Sequence, residues 1–136
     1  MRKASRRVSQ MYDAALAPAG LKVTQFSILS EVDLRADDPP TMRELADVMV
    51  MDRSTLGQNL RPLERDRLVA WEPSDADRRR KLVVLTVKGR AKQMQALSLW
   101  RAVQERFERT VGKAEAARLR GVLLGIAANG DLTSPG

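Results

Sequence analysis

The stretch Asp75–Thr86, which reads DADRRRKLVVLT, decides the fold. Its first half is highly charged and shows no regular periodicity, which is typical of a polar turn, whereas Lys81–Leu85 is rich in β-branched residues and predicts a strand. A second short strand is predicted at Leu68–Trp71, just before the charged turn. The two strands and their loop therefore predict a β-hairpin, and Thr86 is placed to cap a helix that follows it.

The region before this hairpin has the pattern of two short helices. Thr41–Glu44 reads TMRE and matches a capping box, in which the threonine hydroxyl and the glutamate carboxylate satisfy each other's backbone N–H groups. After a turn at Val50–Met51, Asp52 is placed to cap the second helix. The predicted inward positions are Met42, Leu45, Ala46 and Met49 in the first helix and Leu56, Leu60 and Leu63 in the second. Two short helices joined by a tight turn predict a helix-turn-helix.

Helical periodicity also flanks this central region on both sides. The predicted helices are about 3–16, one capped by Thr24, about 87–111 and about 113–128. Only 4% of the residues are aromatic, so the core must consist mainly of aliphatic side chains, which suits helices better than a β-sandwich. The sequence thus predicts a single domain, residues 1–136, that is mainly α with a small β-hairpin.

Composition excludes several classes of function. The chain contains no cysteine and no histidine, which rules out disulfides, Cys/His zinc sites, thiol-based redox sensing and catalytic groups built on either residue. It also lacks a phosphate-binding glycine motif and the GxSxG motif. We therefore expect neither an enzyme nor a metal or cofactor site. No window of about 18 apolar residues is present, so we expect no transmembrane helix and a cytoplasmic protein.

Positive charge is concentrated in this chain. The formal net charge is +7, and residues 78–92 contain seven lysines and arginines with no acid among them. Residues 1–16 add four bases against one acid, Asp13. A focused basic zone favours a polyanionic partner such as a nucleic acid. The alternative, on charge alone, is an ordinary solvated face.

The order of these elements and several short motifs resemble the MarR family of winged-helix transcription regulators. The matching segments are Leu21-x-x-Thr24-Gln25-Phe26-x-x-Leu29, Leu45-Ala46, Asp52-Arg53-Ser54-Thr55, Leu63-Glu64, Leu68-Val69, Asp75-x-Asp77-Arg78-Arg79 and Leu82-x-x-Leu85-Thr86-x-x-Gly89. The resemblance covers about residues 5–128. It implies a winged helix-turn-helix lobe that binds DNA at about 41–86, with the hairpin as its wing, and a helical dimerisation region formed by about 1–36 and 87–128.

Two features depart from the family pattern. Asp66-Arg67 stands at the turn before the first strand, where many members have a glycine. Pro62 lies inside the second helix of the helix-turn-helix, where it cannot donate a hydrogen bond to the carbonyl of Gln58. We expect the helix to bend or to break locally at this proline.

The resemblance places two sets of side chains against DNA. The recognition helix is expected to present polar side chains to base edges and phosphates of the major groove, from Arg53, Ser54, Thr55, Gln58, Asn59 and Arg61. The wing is expected to contribute Asp77, Arg78, Arg79, Arg80 and Lys81. In this hypothesis Asp77 pairs with Arg79, and Arg78 or Arg79 enters the minor groove. The alternatives are that Ser54 and Thr55 only cap the helix and that the wing is a solvated turn.

A ligand site is a further implication of the resemblance, because family members often bind small aromatic or phenolic acids. Met11, Tyr12, Phe26 and Trp100 are the candidate lining residues, and simple core packing is the alternative for each. The expected function is a homodimeric, sequence-specific regulator, usually a repressor, that binds a pseudo-palindromic DNA duplex and is released by a ligand. The alternatives are a winged helix that binds an acidic protein and a DNA binder without an effector.

Overall fold

The computed structural model describes residues 1–133, and residues 134–136 lie outside the described part. Its main elements are α1 (Arg2–Leu16), α2 (Val23–Leu34), α3 (Met42–Met49), α4 (Arg53–Arg65), β1 (Val69–Pro73), β2 (Lys81–Leu85), α5 (Val87–Val111) and α6 (Lys113–Ala128). Short 3-10 turns lie at Ala17–Ala19 and Gly130–Thr133. This order confirms the predicted fold class, mainly α with a β-hairpin. None of the described helices is long and apolar enough to cross a membrane.

The chain divides into two compact units, Met1–Trp100 and the residues from Arg101 onward. α5 begins in the first unit and ends in the second. The second unit contains the buried side chains of Val103 and Ala116, together with an ion pair of 3.0 Å between Arg120 and Glu108. Gly112 separates α5 from α6 with a φ of 98°, a conformation that only glycine adopts readily.

The core of the first unit is aliphatic and joins the helix-turn-helix to α2 and the hairpin. Its most deeply buried side chains are Leu16, Ile28, Leu29, Leu45, Leu56, Leu60, Leu63 and Val83. Burial of each such side chain stabilises the fold by about 1.5–3 kcal/mol. The inward positions predicted for α3 and α4 are confirmed, since all of them are buried or pack against this core.

α3 and α4 start at the predicted caps. The N–H of Glu44 donates to the hydroxyl of Thr41 at 3.2 Å, and the N–H of Thr41 donates to the Glu44 carboxylate at 3.4 Å, which completes the capping box. At the start of α4 the N–H of Thr55 donates to the carboxylate of Asp52 at 2.7 Å. Both helix starts are therefore specified by residues within one turn of chain.

The start of α2 differs from the prediction, because Lys22 and not Thr24 occupies the cap position. The N–H of Lys22 donates to the side chain of Gln25 at 3.0 Å, and the N–H of Val23 donates to the carboxylate of Asp13 at 2.8 Å. The predicted cap at Thr24 is wrong because Asp13, on α1, supplies an acceptor from ten residues away. Local sequence cannot reveal such a partner.

α4 continues through Pro62 from Arg53 to Arg65, so the helix does not end at the proline, and the predicted interruption of the ladder is the one hydrogen bond that a proline cannot donate. Proline removes the hydrogen bond to the Gln58 carbonyl, but Leu60 and Leu63 beside it are fully buried and hold both parts of the helix on the core. The N–H of Asp66, at the end of α4, donates to the carbonyl of Pro62 at 3.0 Å.

β1 and β2 pair in antiparallel register, from Val69 opposite Leu85 to Pro73 opposite Lys81. The second strand has the predicted bounds, whereas the first begins one residue later than predicted and extends two residues further. The strand extends as far as Pro73 because a proline is tolerated at the edge of a sheet.

The segment just before α3 joins this hairpin. Thr41 forms an isolated antiparallel bridge with Leu82, and the N–H of Val83 donates to the carbonyl of Pro40 at 2.8 Å. Backbone hydrogen bonds therefore connect the start of the helix-turn-helix to the second strand of the hairpin.

A compact joint connects the end of α4, the start of β1 and the start of α5. The predicted cap at Thr86 is confirmed, because its hydroxyl accepts from the N–H of Gly89 at 2.9 Å. The same hydroxyl donates to the carbonyl of Arg67 at 2.6 Å, and the N–H of Thr86 donates to the carbonyl of Leu68 at 3.1 Å. A Cβ atom on Gly89 would lie 1.9 Å from the Leu68 carbonyl oxygen, so only glycine allows this approach.

Gly89→Ala is expected to lower the free energy of unfolding by about 1–3 kcal/mol, because the added methyl group must push α5 away from the backbone of Leu68. Urea unfolding followed by circular dichroism measures this loss. Gly121→Ala is the matched control, since no atom lies within 4 Å of its new methyl group and a helical alanine stabilises by about 0.5–1 kcal/mol. Equal stability of the two variants would contradict the role of the joint.

Candidate nucleic-acid interface

The turn of the helix-turn-helix fixes where α4 begins. Val50 follows α3 in a left-handed conformation, with φ 53° and ψ 48°, and the N–H of Met51 donates to the carbonyl of Ala46 at 2.9 Å. Asp52 then caps α4, and the backbone N–H of Thr55 is the main cause that holds the pKa of this carboxyl below its usual value. The carboxylate of Asp52 is therefore charged at neutral pH beside the first turn of α4.

α4 turns its predicted contact residues away from the core. Five of them are exposed, namely Arg53, Ser54, Thr55, Gln58 and Arg61. Asn59 is half-buried. The amide of Asn59 donates to the carbonyl of Thr55 at 2.9 Å, so one of its donors is already used within the helix. Asp52 accepts from the backbone N–H of Thr55, and the side chain of Thr55 also hydrogen-bonds this carboxylate, so Thr55 takes part in the cap.

The tip of the hairpin is ordered by backbone hydrogen bonds. The N–H of Arg80 donates to the carbonyl of Asp77, and the N–H of Ser74 donates to the carbonyl of Arg80, both at 2.9 Å. The carboxylate of Asp77 accepts from the backbone N–H of Arg79 at 3.0 Å. The predicted pairing of Asp77 with Arg79 thus takes another form, because the partner is the main-chain amide and not the guanidinium.

This arrangement leaves the arginines of the tip available. Arg78, Arg79 and Arg80 are exposed, and within residues 1–133 no ion pair involves any of them. The carboxylate of Asp77 shapes the loop by accepting from the backbone N–H of Arg79. It takes part in none of the ion pairs found within residues 1–133, so it does not neutralise an arginine side chain of the tip. The tip can therefore offer three guanidinium groups to an anionic partner.

A surface groove of about 750 Å³ lies between α3, the start of α4 and the hairpin. It is lined by Thr41, Met42, Arg43, Glu44, Asp47, Arg53, Trp71, Arg79, Arg80 and Lys81. Five of these side chains are basic and two are acidic, so the groove is positively charged. It brings Arg53 of the predicted recognition helix together with three residues of the predicted wing set.

Arg43 and Trp71 are among the lining residues of this groove that sequence reasoning did not place at the site. Arg43 lies in the first turn of α3 and is exposed, and Trp71 lies half-buried in β1. Arg43 could have been found from its outward position in the capping-box helix, between the inward Met42 and Leu45. Trp71 gave no such signal, because its place in the groove depends on how the hairpin packs against α3.

The predicted ligand residues include an aromatic cluster from three helices. The rings of Tyr12 on α1 and Trp100 on α5 stack with centroids 6.3 Å apart, and the Phe26 ring on α2 lies 6.3 Å from that of Trp100. Phe26 is buried in the core, whereas Tyr12, Trp100 and Met11 are half-buried. The cluster thus combines core packing with two partly accessible rings.

Ionic contacts hold the helix-turn-helix on α2. The guanidinium of Arg35, at the end of α2, lies 2.8 Å from the carboxylate of Glu44 on α3. The hydrogen bond from Arg35 is the largest of the causes that lower the pKa of Glu44, and Thr41 adds to it. Arg90 on α5 lies 3.3 Å from the carboxylate of Asp33 on α2. Both α3 and the start of α5 are therefore fixed to the same helix.

Comparison with known proteins identifies the relatives of this chain. The model of the MarR family matches residues 19–80. The chain is 40% identical to the transcriptional regulator MosR of M. tuberculosis, solved in complex with DNA, and the match covers 93% of this chain and 89% of MosR with a TM-score of 0.80. The chain belongs to the MarR family. The predicted resemblance is confirmed.

Other solved structures support the winged-helix fold of this MarR-family chain. It is 28% identical to the transcriptional repressor CouR bound to a 23-mer DNA duplex, over 93% of this chain and 88% of CouR, with a TM-score of 0.85. CouR from Rhodococcus jostii RHA1, bound to p-coumaroyl-CoA, matches at 27% identity and a TM-score of 0.81 over the same shares. A comparison with curated proteins found no match.

Glu44→Gln is expected to make this MarR-family chain less sensitive to acid. Because Arg35 lowers the pKa of Glu44 in the folded chain, the carboxylate stabilises the fold above the ordinary glutamate pKa of about 4.3, and this contribution is lost as the pH falls through the lower folded value. Between about pH 6 and 3.5 the wild type should lose more stability than Glu44→Gln, by less than about 1 kcal/mol because the side chain is half exposed.

Urea unfolding at both pH values measures this difference. Glu64→Gln is the control, because Glu64 is exposed on α4 and takes part in none of the ion pairs found within residues 1–133. The same pH dependence in Glu44→Gln and in the wild type would show that the contact between Arg35 and Glu44 does not stabilise the fold.

Proposed function

We propose that this chain is a transcription regulator that binds double-stranded DNA in a sequence-specific manner. The observation that carries the proposal is the basic groove, which unites the start of α4 with the tip of the hairpin. Its excess of arginine and lysine suits a phosphate backbone, which contributes much of the affinity in protein–DNA complexes. The related MosR and CouR were both solved with DNA, which supports the same partner for this chain.

In the proposed complex α4 is the recognition helix and lies in the major groove. Gln58 and Asn59 suit adenine, whose N6 amino group and N7 pair bidentately with a side-chain amide, and Arg53 and Arg61 suit guanine or phosphate. Ser54 and Thr55 lie in the first turn, where short hydroxyls reach phosphates. The lobe of residues 41–86 would thus read bases with one helix.

The hairpin is the wing in this proposal and enters the adjacent minor groove. Arginine is favoured there by the enhanced negative potential of a narrow groove. Arg78 or Arg79 is proposed to insert, while Arg80 and Lys81, which line the basic groove, contact phosphates. Asp77 keeps the tip in shape through the backbone N–H of Arg79.

We further propose that the chain acts as a homodimer through residues 1–36 and 87–128. α6 exposes a series of large apolar side chains that a lone chain would leave in water, namely Leu119, Val122, Leu123, Leu124 and Ile126. A two-fold symmetric dimer presents two recognition helices and so prefers a pseudo-palindromic duplex with half-sites about ten base pairs apart.

Selection of bound duplexes from a random pool tests both proposals together, because it reports the sequence, symmetry and spacing of the preferred site. We expect a two-fold symmetric consensus and a linear fall of log affinity with log salt concentration. A protein that selects no duplex, or that forms a stable complex with an acidic protein while ignoring DNA, would exclude this function in favour of a protein-binding winged helix.

Arg78→Ala and Arg79→Ala test the wing. At least one of them is expected to weaken binding to the selected duplex by about 1–3 kcal/mol, and removing an arginine that binds a phosphate should reduce the salt slope by about 1. Arg106→Ala is the matched control, because it removes the same charge from an exposed position of α5 in the second unit. If both wing variants bind like Arg106→Ala, the wing does not enter the groove.

The regulator is proposed to be a repressor that a small aromatic or phenolic ligand releases from DNA. Tyr12 and Trp100 offer partly accessible rings next to the buried Phe26, and Met11 completes the predicted lining set. The solved complex of CouR with p-coumaroyl-CoA, which carries a phenolic group, supports this class of ligand. A ligand between α1, α2 and α5 would alter the helices that carry the DNA-binding lobe and shift the population of lobe positions.

Thermal unfolding in the presence of a panel of aromatic acids tests the effector. A ligand at about 100 times its Kd should stabilise the folded chain by about 2.7 kcal/mol and raise Tm, while weakening DNA binding. Trp100→Phe keeps a ring but loses the indole, and it should reduce the Tm shift. A panel that shifts neither Tm nor DNA affinity would favour a regulator without a small-molecule effector.

A further inference from the structure

Another cavity, of about 250 Å³, lies between the end of α2, the second strand of the hairpin and the start of α5. It shares no lining residue with the basic groove or with the aromatic cluster of Tyr12, Phe26 and Trp100. We call it the α2–hairpin pocket. The lining residues that bear on its chemistry are Arg35, Pro39, Glu72, Val84, Leu85 and Arg90. Sites for drug-sized ligands occupy about 300–1,000 Å³, so this pocket suits a smaller molecule.

The uncharged part of the α2–hairpin pocket is aliphatic. Pro39, Val84 and Leu85 are half-buried, so part of their carbon surface is still accessible from the pocket. Within the described part of the chain, no aromatic residue is among those that line it. Such walls favour a short aliphatic body, which gains stability from each part of its surface that leaves water.

The two arginines of the pocket differ in how firmly they are held. Arg35 contacts Asp38 and Glu44 through its Nε and Nη2 atoms, and its side chain is 31% exposed. Arg90 is 57% exposed, and the ion pair found for it within residues 1–133 joins its Nη2 to Asp33 at 3.3 Å. A guanidinium group carries five N–H donors, so this one contact leaves Arg90 with donors for a second carboxylate.

Glu72 brings the opposite charge to the same pocket. It is exposed on β1 and takes part in none of the ion pairs found in the described part of the chain. A carboxylate only accepts hydrogen bonds, and it repels a second anion. The pocket thus offers a cationic donor on α5 and an anionic acceptor on the hairpin, with aliphatic surface between these elements and α2.

We propose that the α2–hairpin pocket binds a small aliphatic hydroxy acid. The carboxylate of the ligand binds the guanidinium of Arg90, its carbon chain packs on Val84, Leu85 and Pro39, and its hydroxyl donates to Glu72. This site is separate from the aromatic cluster and goes beyond the proposed DNA-binding function, on which it does not depend.

Binding at this site has a consequence for the lobe. The ligand carboxylate and the carboxylate of Asp33 accept from the same guanidinium, so they compete for Arg90. The contact between Arg90 and Asp33 joins the start of α5 to α2. A bound hydroxy acid therefore weakens one of the two ionic contacts that fix neighbouring elements to α2.

Titration of the full chain, without DNA, with terminal hydroxy acids of increasing length from hydroxybutyrate to hydroxyhexanoate tests the site. The NMR signals of the Val84 and Leu85 methyl groups report binding in the pocket directly. We expect at least one acid to shift them with saturation and a Kd of about 1 mM, since the ligand is small and flexible. If no acid of the series saturates these signals, the inference is overturned.

Arg90→Gln is expected to weaken binding at least about tenfold, because it removes the charged donor of the carboxylate. Asp33→Asn is the matched control, since it breaks the same ion pair but keeps Arg90 and removes the competing charge. It should bind the acid at least as tightly as the wild type does. Equal weakening in both variants would mean that the ion pair only maintains the fold, and would overturn the inference.

Butyrate, pentanoate and hexanoate, which lack the hydroxyl, test the role of Glu72. The wild type should bind the best hydroxy acid about fivefold more tightly than its unsubstituted partner, because the bare chain leaves Glu72 without a donor. Glu72→Ala should remove this preference. A preference that persists in Glu72→Ala would show that the hydroxyl is bound elsewhere and would overturn the assignment of the pocket.

Trp100→Phe separates this pocket from the aromatic cluster. It changes a ring of the cluster and should leave the affinity for the hydroxy acid unchanged. If Trp100→Phe weakens binding and Arg90→Gln does not, the acid occupies the cluster and the inference is overturned. Because no measurement in this series contains DNA, its failure leaves the proposed function intact, whereas a chain that selects no duplex leaves the pocket intact.

Discussion

The hydroxyl of Thr86 is the contact on which the rest of the first unit depends. It accepts from the N–H of Gly89 and donates to the carbonyl of Arg67, so a single oxygen caps α5 and binds the turn that ends α4. The geometry works only because Gly89 has no side chain to collide with Leu68. The end of α4 and the start of α5 are thereby joined through the Thr86 side chain and through the backbone hydrogen bond from Thr86 to Leu68.

Apolar and charged residues have different structural roles around this joint. The buried leucines of α3 and α4 place the helix-turn-helix on α2, and the ion pair of Arg35 with Glu44 fixes its orientation at the surface. The arginines of the hairpin tip take no part in this framework, because Asp77 shapes the loop through a main-chain amide. The fold is thus complete without the charges that the proposed function uses, and those charges are free to meet a partner.

The sequence predicted those parts of the structure that depend on neighbours within one turn of chain. The capping box at Thr41, the cap at Asp52, the second strand and the cap at Thr86 were all predicted from local patterns, and each cap bonds the backbone three residues later. The start of α2 was not, because Asp13 reaches it from another helix. Tertiary partners of this kind leave no local pattern.

The candidate site also combines features that local sequence predicts with features that depend on tertiary packing. The exposed residues of α4 and the basic run of the hairpin follow from periodicity and charge, but the groove that joins them depends on how the hairpin packs against α3. Trp71 was missed for this reason, whereas the outward position of Arg43 on α3 was open to sequence analysis. The left-handed conformation of Val50 was missed for the opposite reason, since a branched residue is normally evidence against such a turn. The continuous helix through Pro62 shows that buried neighbours can override a local breaker.

The bridge between Thr41 and Leu82 and the hydrogen bond from Val83 to Pro40 place the hairpin and α3 on one backbone network. The distance from the proposed recognition helix to the tip of the wing is therefore fixed within a single lobe. In the proposed complex the duplex must match that span. Base steps that already bring the two grooves to this distance bind without deformation, and stiffer steps must be bent or compressed. Base pairs that no side chain contacts would then influence which operator is bound, because they differ in how easily they bend.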